Sequence, residues 1–174
     1  MGAPAGAALR EGEAELVAYL HPNQLGDPLG AARGALDRLL LQWSEDLEGV
    51  LLAHEGAALV PEPGRVLGTL PYVRAGVSAR LQVFAPEVGD TLVGEVTKLG
   101  GDYIALLVLG IFPAVVPLKN IREGFQQEQE GTPEACWTCA GAEGGLPHRV
   151  SVGSMVRFSV SQCAPRLLRR TSKN

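Results

Sequence analysis

The sequence has few aromatics, few cysteines, no excess of basic charge and no long unbroken apolar run, and each shortage closes off a class of protein. Aromatic residues make up 5% of the 174 residues, so any core must rest on leucine, valine and alanine. Three cysteines are an odd number and too few for a disulfide scaffold, which fits a reducing compartment. The formal net charge is −4, whereas a domain built over its whole surface to neutralise phosphates is basic. Contact with nucleic acid is therefore expected to be local and weak, or delegated to a partner. The most apolar stretch, residues 104–118, is shorter than the ~20 residues a membrane-spanning helix needs, and Gly110, Pro113 and Pro117 interrupt it. The N-terminus lacks a basic start followed by an apolar run, so no secretory signal is expected. Gly6 stands where a myristoylation pattern wants serine or threonine. No G-x-S-x-G, P-loop or G-x-G-x-x-G occurs, so the usual signatures of hydrolase and nucleotide chemistry are missing. A soluble protein is expected.

What is present suits a packed core: 46% of residues are apolar and 20% charged. Residues 1–13 mix alanine, glycine and charge without periodicity and are expected to be disordered. Residues 16–20 form a short apolar strand that His21-Pro22 ends. After a loop, a helix is expected over residues 29–47. Leu36, Leu39, Leu40, Trp43 and Leu47 fall on one helical face there, while Asp37, Arg38, Gln42, Glu45 and Glu48 mostly face water. Residues 50–53 and 57–60 read as a strand pair or one bent strand, and Pro61-Glu62-Pro63-Gly64 as a turn. Strands follow over 65–73 and 77–84, the latter with a period of two.

Residues 85–90 read as a hinge. Beyond it, strands are expected at 91–99, 103–109, 112–117 and 155–161, with a glycine turn at 100–102 whose glycines supply positive φ. Residues 124–149 are polar and rich in Gly, Glu and Gln, and read as an insertion or long loop. The fold class expected is α+β: a small N-terminal α+β domain over 14–84, then an OB-fold β-barrel over 91–163 with an insertion loop at 124–150. No fifth strand is evident in residues 161–174. Either the barrel is incomplete and closes irregularly, or a partner chain completes it, or the C-terminus is cut short. Residues 164–174 form a basic tail, with Arg166, Arg169, Arg170 and Lys173, that reads as a solvated end.

Two runs resemble a known family. FAPEVGDTLVGEVTKLGGDYIALLVLGIFPAVVP, residues 84–117, resembles the start of the OB domain in RNA polymerase I stalk subunits. LHPNQLGDPLGAARGALDRLLLQWSEDLEGVLLA, residues 20–53, resembles the N-terminal tip domain of the same family. The tip pattern is carried by His21-Pro22, the leucines of 36–41, Trp43-Ser44-Glu45 and Gly49-Val50. The likeness covers roughly residues 14–122 and returns weakly at 152–160. Stalk subunits of polymerases II and III share the architecture, and LLVLGIFPAVVP looks more like the polymerase I form. The family usually carries a longer, Lys-rich C-terminal part, which this sequence lacks. The loop at 124–149 looks peculiar to this sequence.

The resemblance implies a non-catalytic subunit without a cofactor, nuclear and nucleolar. It further implies a tip docked on RNA polymerase I core subunits, a second stalk subunit as heterodimer partner, and an OB domain near nascent RNA. A landing site for an initiation factor is implied too. His21, Pro22, Leu25 and Gly26 are the tip residues that would dock on the core or a partner.

OB barrels hold single strands on aromatic platforms beside a basic groove. Tyr103 and Phe112 are the aromatic candidates for RNA, and Lys98, Lys119, Arg122 and Arg157 the cations. Phe112 reads first as barrel core, and the cations as ordinary surface. Cys136-x-x-Cys139, with His148 and Cys163 downstream, is short of a zinc site because a second knuckle pair is missing. It reads first as an incidental loop pair, then as zinc, then as a redox dithiol. His21 and His54 read as structural and surface histidines before acid–base groups. Two other readings stay open: a free-standing OB-fold RNA-binding protein of translation or RNA processing, and an enzyme using the cysteine pair.

Overall fold

The computed structural model describes residues 8–66, 68, 71–128, 136–139 and 148–163. These group into two compact units, residues 8–88 with 162–163, and residues 89–161.

The first unit is an antiparallel sheet with one helix. β1 is Leu9–Leu20, α1 Pro28–Asp37, β2 Trp43–Ser44, β3 Gly49–Leu59, β4 Arg65–Val66 and β5 Val73–Phe84. The strand order is β1-β5-β3-β2, with β4 against the start of β5. α1 lies on one face. Its Ala32 and Leu36 are buried with Ala18 and Leu20 of β1, Leu51 of β3, and Val77, Ala79, Leu81 and Val83 of β5. The alternation of β5 aims those four residues inward and leaves Ser78, Arg80 and Gln82 on the outer face.

Three expectations change here. β1 starts at Leu9, so residues 9–13 are strand rather than disordered; residues 1–7 lie outside the described residues. Gly12, Ala14, Leu16, Ala18 and Leu20 sit opposite inward residues of β5, so a period of two was present. Small residues at the inward positions and glutamates at the others kept it below notice.

The helix is ten residues long, not the stretch 29–47. Asp27 caps it by accepting from Gly30 N–H at 2.9 Å, and Pro28 occupies its first turn. Past Asp37 the chain tightens, with Leu39 and Leu40 donating to Leu36 and Asp37. Leu41 then takes φ 57, in the left-handed region, and its N–H donates to Leu51 of β3. Leu39, Leu40 and Leu47 still pack on the core, so helical spacing persisted without a helix. Trp43 is 53% exposed on β2. The strand expected at 65–73 is only β4 and the first residue of β5; residues 67, 69 and 70 lie outside the described residues. β3 is the one bent strand, with register shifts at Leu51/Ala53 and Glu55/Ala58 and Gly56 at φ 64.

The second unit holds β6 Thr91–Leu99, β7 Tyr103–Val108, β8 Phe112–Pro117, β9 Phe125–Glu128, β10 Cys136–Cys139, β11 His148–Ser151 and β12 Met155–Ser159. β12-β6-β7-β8 form one antiparallel sheet and β11-β10-β9 a second. A bulge at Thr97 shifts the β6 register, so Val96 and Leu99 both face inward while Lys98 faces out. The β7–β8 turn carries Leu109 at φ 53 and Gly110 at φ 72, closed by Ile111 N–H to Val108 O. The β6–β7 turn does not use positive φ, contrary to expectation. Gly100 is needed there for space: a Cβ would lie 2.6 Å from the Tyr103 ring.

The segment expected to be an insertion loop, 124–150, contributes β9, β10 and most of β11. Strand material not evident from the sequence therefore lies in that segment. Trp137 of β10, 3% exposed, packs with Val96, Ile104 and Leu106, flanked by Phe125, Val150, Val156 and Phe158. Glu and Gln concealed this, because each short strand offers the core only one or two residues. Residues 129–135, 140–147 and the basic tail 164–174 lie outside the described residues.

Candidate functional site

Cross-strand pairing fixes which candidates share a surface. On the outer face of the four-stranded sheet, Lys98 lies opposite Ala105 and Ala105 opposite Val115. Tyr103 lies opposite Pro117. Glu95 lies between Met155 and Leu107, and Arg157 opposite Val93. Lys119, in the 3-10 turn Leu118–Asn120, and Arg122 are exposed just beyond β8. Leu118 N–H bonds Asp102 O at 2.7 Å, tying this turn to the β6–β7 hairpin. Lys98, Tyr103 and Lys119 thus gather at one end of the sheet, with Arg122 following.

The other two do not join them. Phe112 pairs with buried Val108, so it shares the inner face with Ala114 and Val116 and points away from the Tyr103 side. Arg157 is opposite Val93, five residues along β6 from Lys98, or about 16 Å at strand rise. The Tyr103 ring lies against Gly100, which leaves less of it open for stacking. What remains is one half-buried tyrosine with nearby cations, beside an apolar surface: Val115 is 62% and Met155 67% exposed. Hydropathy could not reveal this grouping, because the Thr97 bulge sets the face of Lys98.

In the first unit, His21 caps the 3-10 turn Pro22–Gln24. Its Nδ1 accepts from Asn23 N–H at 3.3 Å, and its own N–H donates to Gln24 Oε1 at 2.9 Å. The ring meets Tyr72 edge-on at 5.9 Å between centroids. Leu25 and Gly26 are exposed beside it, and a Cβ on Gly26 would meet nothing within 4 Å. His21, Pro22, Leu25 and Gly26 form an exposed corner. His54, expected at the surface, instead faces inward from β3, and its Nε2 lies 2.8 Å from Asp37 Oδ1 at the helix end.

The C-x-x-C pair lies on a strand. Successive side chains of a strand alternate faces, so Cys136 and Cys139 point to opposite sides of β10. Cys136 shares its side with Glu128, and Cys139 lies opposite Phe125 and His148. The two sulfurs cannot close on one metal ion, and among the described residues no cluster of three metal-ligating side chains occurs. Nor does any helix among them have the length and apolarity to cross a membrane.

Comparison with known proteins agrees with this layout. Residues 86–148 match the family described as "RPA43 OB domain in RNA Pol I". The match runs through β9 and β10, so the segment 124–149 is not peculiar to this sequence, and the second unit contains an OB domain. The chain is 30% identical over 107 residues to DNA-directed RNA polymerase I subunit rpa43 of Schizosaccharomyces pombe, covering 62% of each. It is 35% identical over 98 residues to subunit RPA43 of Mus musculus, and 34% identical over 98 residues to that of Homo sapiens. Those matches take in 56% of this chain but only 30% of the mouse and 29% of the human protein. The chain thus spans less than two thirds of each of these relatives. The likeness therefore lies to the RPA43 OB domain over residues 86–148 and, over about a hundred residues, to proteins named as RNA polymerase I subunits.

Proposed function

We propose that the chain acts as a non-catalytic stalk subunit of DNA-directed RNA polymerase I in transcription of ribosomal RNA genes. The observation that carries this reading is the OB-domain match over residues 86–148, joined to relatives that are all named as subunits of that polymerase. The layout supports it: two compact units in succession offer surfaces for holding other macromolecules, and the Cys136/Cys139 geometry is not that of a catalytic dithiol. In this reading the first unit is the tip domain. Its exposed corner at His21, Pro22, Leu25 and Gly26 meets the polymerase core or the second stalk subunit. The OB domain lies near nascent RNA, an initiation factor lands on the assembled stalk, and the protein resides in the nucleolus.

Any RNA contact falls on Lys98, Tyr103, Lys119 and Arg122, at one end of the sheet. Three cations and one tyrosine on an acidic chain give a weak, salt-sensitive interaction. A free-standing RNA-binding protein would carry a broader basic groove, and Phe112 on the inner face leaves the aromatic platform short.

The deciding experiment is affinity purification of the tagged chain from nuclear extract, with mass spectrometry of what accompanies it. Polymerase I subunits should dominate. Their absence, with recovery of unrelated RNA-processing proteins, overturns the reading.

A further inference from the structure

We propose that the outer edge of β1 is a docking site for an extended segment of another protein that bears lysine or arginine at alternate positions and joins the sheet as a further strand.

β1 runs for twelve residues and pairs with β5 along its whole length without a register shift. Among the described residues no strand pairs with its other side. Every second residue of such an edge turns its N–H and C=O away from the sheet, a ready template for another chain. Proteins guard such edges with proline, bulges, short strands or charged side chains, lysine above all, and the glutamates of β1 leave it open to a partner of opposite charge. Several other strands among the described residues show those guards. β8 is an edge with Pro113 and Pro117, which have no N–H to offer; β2 and β4 are two residues long; β3 is broken by register shifts. β1 has no proline, no lysine and no bulge. Its one cation, Arg10, lies at the start and is engaged with Glu87.

Charge selects the occupant. Glu11, Glu13 and Glu15 stand on the face away from α1, opposite Gln82, Arg80 and Ser78. Arg80, opposite Glu13 in the register, bonds Glu55 at 3.2 Å, so its charge is already engaged by another carboxylate. A second copy of the chain fits poorly. Antiparallel pairing centred on Glu15 sets that residue against itself, and centring on Ala14 sets Glu13 against Glu15 twice. Like charges opposed across strands destabilise the pair. An incoming strand with lysine or arginine at every second position sets them beside the glutamates. Its other side chains extend the core past Ala14 and Leu16, which are only partly covered. Val17 and Tyr19, 45% and 56% exposed on the outer face, continue the surface with apolar contact.

The proposal goes beyond the polymerase reading and does not depend on it. The probe is a fluorescein-labelled peptide, Thr-Lys-Val-Lys-Ala-Lys-Val-Thr, titrated with the full chain and followed by anisotropy. Saturable binding is expected, weakening about tenfold as salt rises several-fold, because exposed charges are screened. N-methylation of alternate peptide amides should abolish it. The chain carrying Glu11→Lys, Glu13→Lys and Glu15→Lys should bind at least about tenfold more weakly and should prefer the peptide with glutamate in place of lysine. Absence of binding overturns the proposal, as does equal binding of the N-methylated peptide, indifference to charge reversal, or self-association through β1. If the charge-reversed chain does not fold, the salt and N-methylation arms on the unaltered chain decide. None of these outcomes bears on co-purification with polymerase subunits, so the two readings fail separately.

Discussion

The two units cover their cores in opposite ways. The first lays a ten-residue helix over its sheet and buries Ala32 and Leu36, modest side chains spread along a single element. The second sets a small polar sheet against its four-stranded sheet and buries one very large side chain, Trp137. The lesson concerns concentration. Where burial is distributed, no residue dominates and caps and turns share the stabilisation. Where one aromatic ring fills the space, removing it leaves a cavity the surroundings cannot close.

The sharpest way to break this comparison is Trp137→Ala. It should cost about 3–5 kcal/mol, the range for losing a buried large aromatic. Urea unfolding measures the loss, and hydrogen exchange should rise across residues 91–108 and 155–159 while the first unit stays protected. Uniform loss across both units would show that they do not keep separate cores. Leu36→Ala comes next, at about 2–4 kcal/mol, within the range for leucine truncation, because the side chain lost is smaller than an indole and leaves a smaller cavity. Protection should fall in β1, β3 and β5 instead. Asp27→Ala removes the helix cap and should cost about 1 kcal/mol, with asparagine or serine restoring most of it.

The smallest expected effect is the most pointed. Among the described residues Trp137 Nε1 and Gln127 Nε2 are buried donors without acceptors, and the two residues face each other across β9 and β10. Gln127→Leu removes one of these unmet donors. It should leave stability unchanged or raise it slightly, since an unmade buried hydrogen bond costs about 1–3 kcal/mol. A marked loss in the melting temperature would mean that the amide is holding the indole in place.

Much of this architecture was legible in the sequence, and the failures share a cause. Residues 77–84 alternate strongly because one face of that strand carries the larger apolar side chains, and residues 91–99 alternate only in part because of the bulge at Thr97. β1 alternates as regularly, but with glycine and alanine inside. Leu39, Leu40 and Leu47 kept helical spacing in a segment that Leu41 takes through the left-handed region. β9 to β11 are short and polar, so their structure becomes visible only through what Trp137 covers. For the candidate site, residue types were readable but faces were not. Tyr103 and Phe112 are nine positions apart, and only the three-residue turn between β7 and β8 decides that they fall on opposite sides.

The placement of the two tryptophans gives the chain a built-in pair of optical reporters. Trp43 is open to water and should emit at long wavelength; Trp137, enclosed by apolar side chains, should emit toward the blue. Replacing Trp43 with phenylalanine would leave a single emitter in the OB domain, through which events there could be followed by light alone.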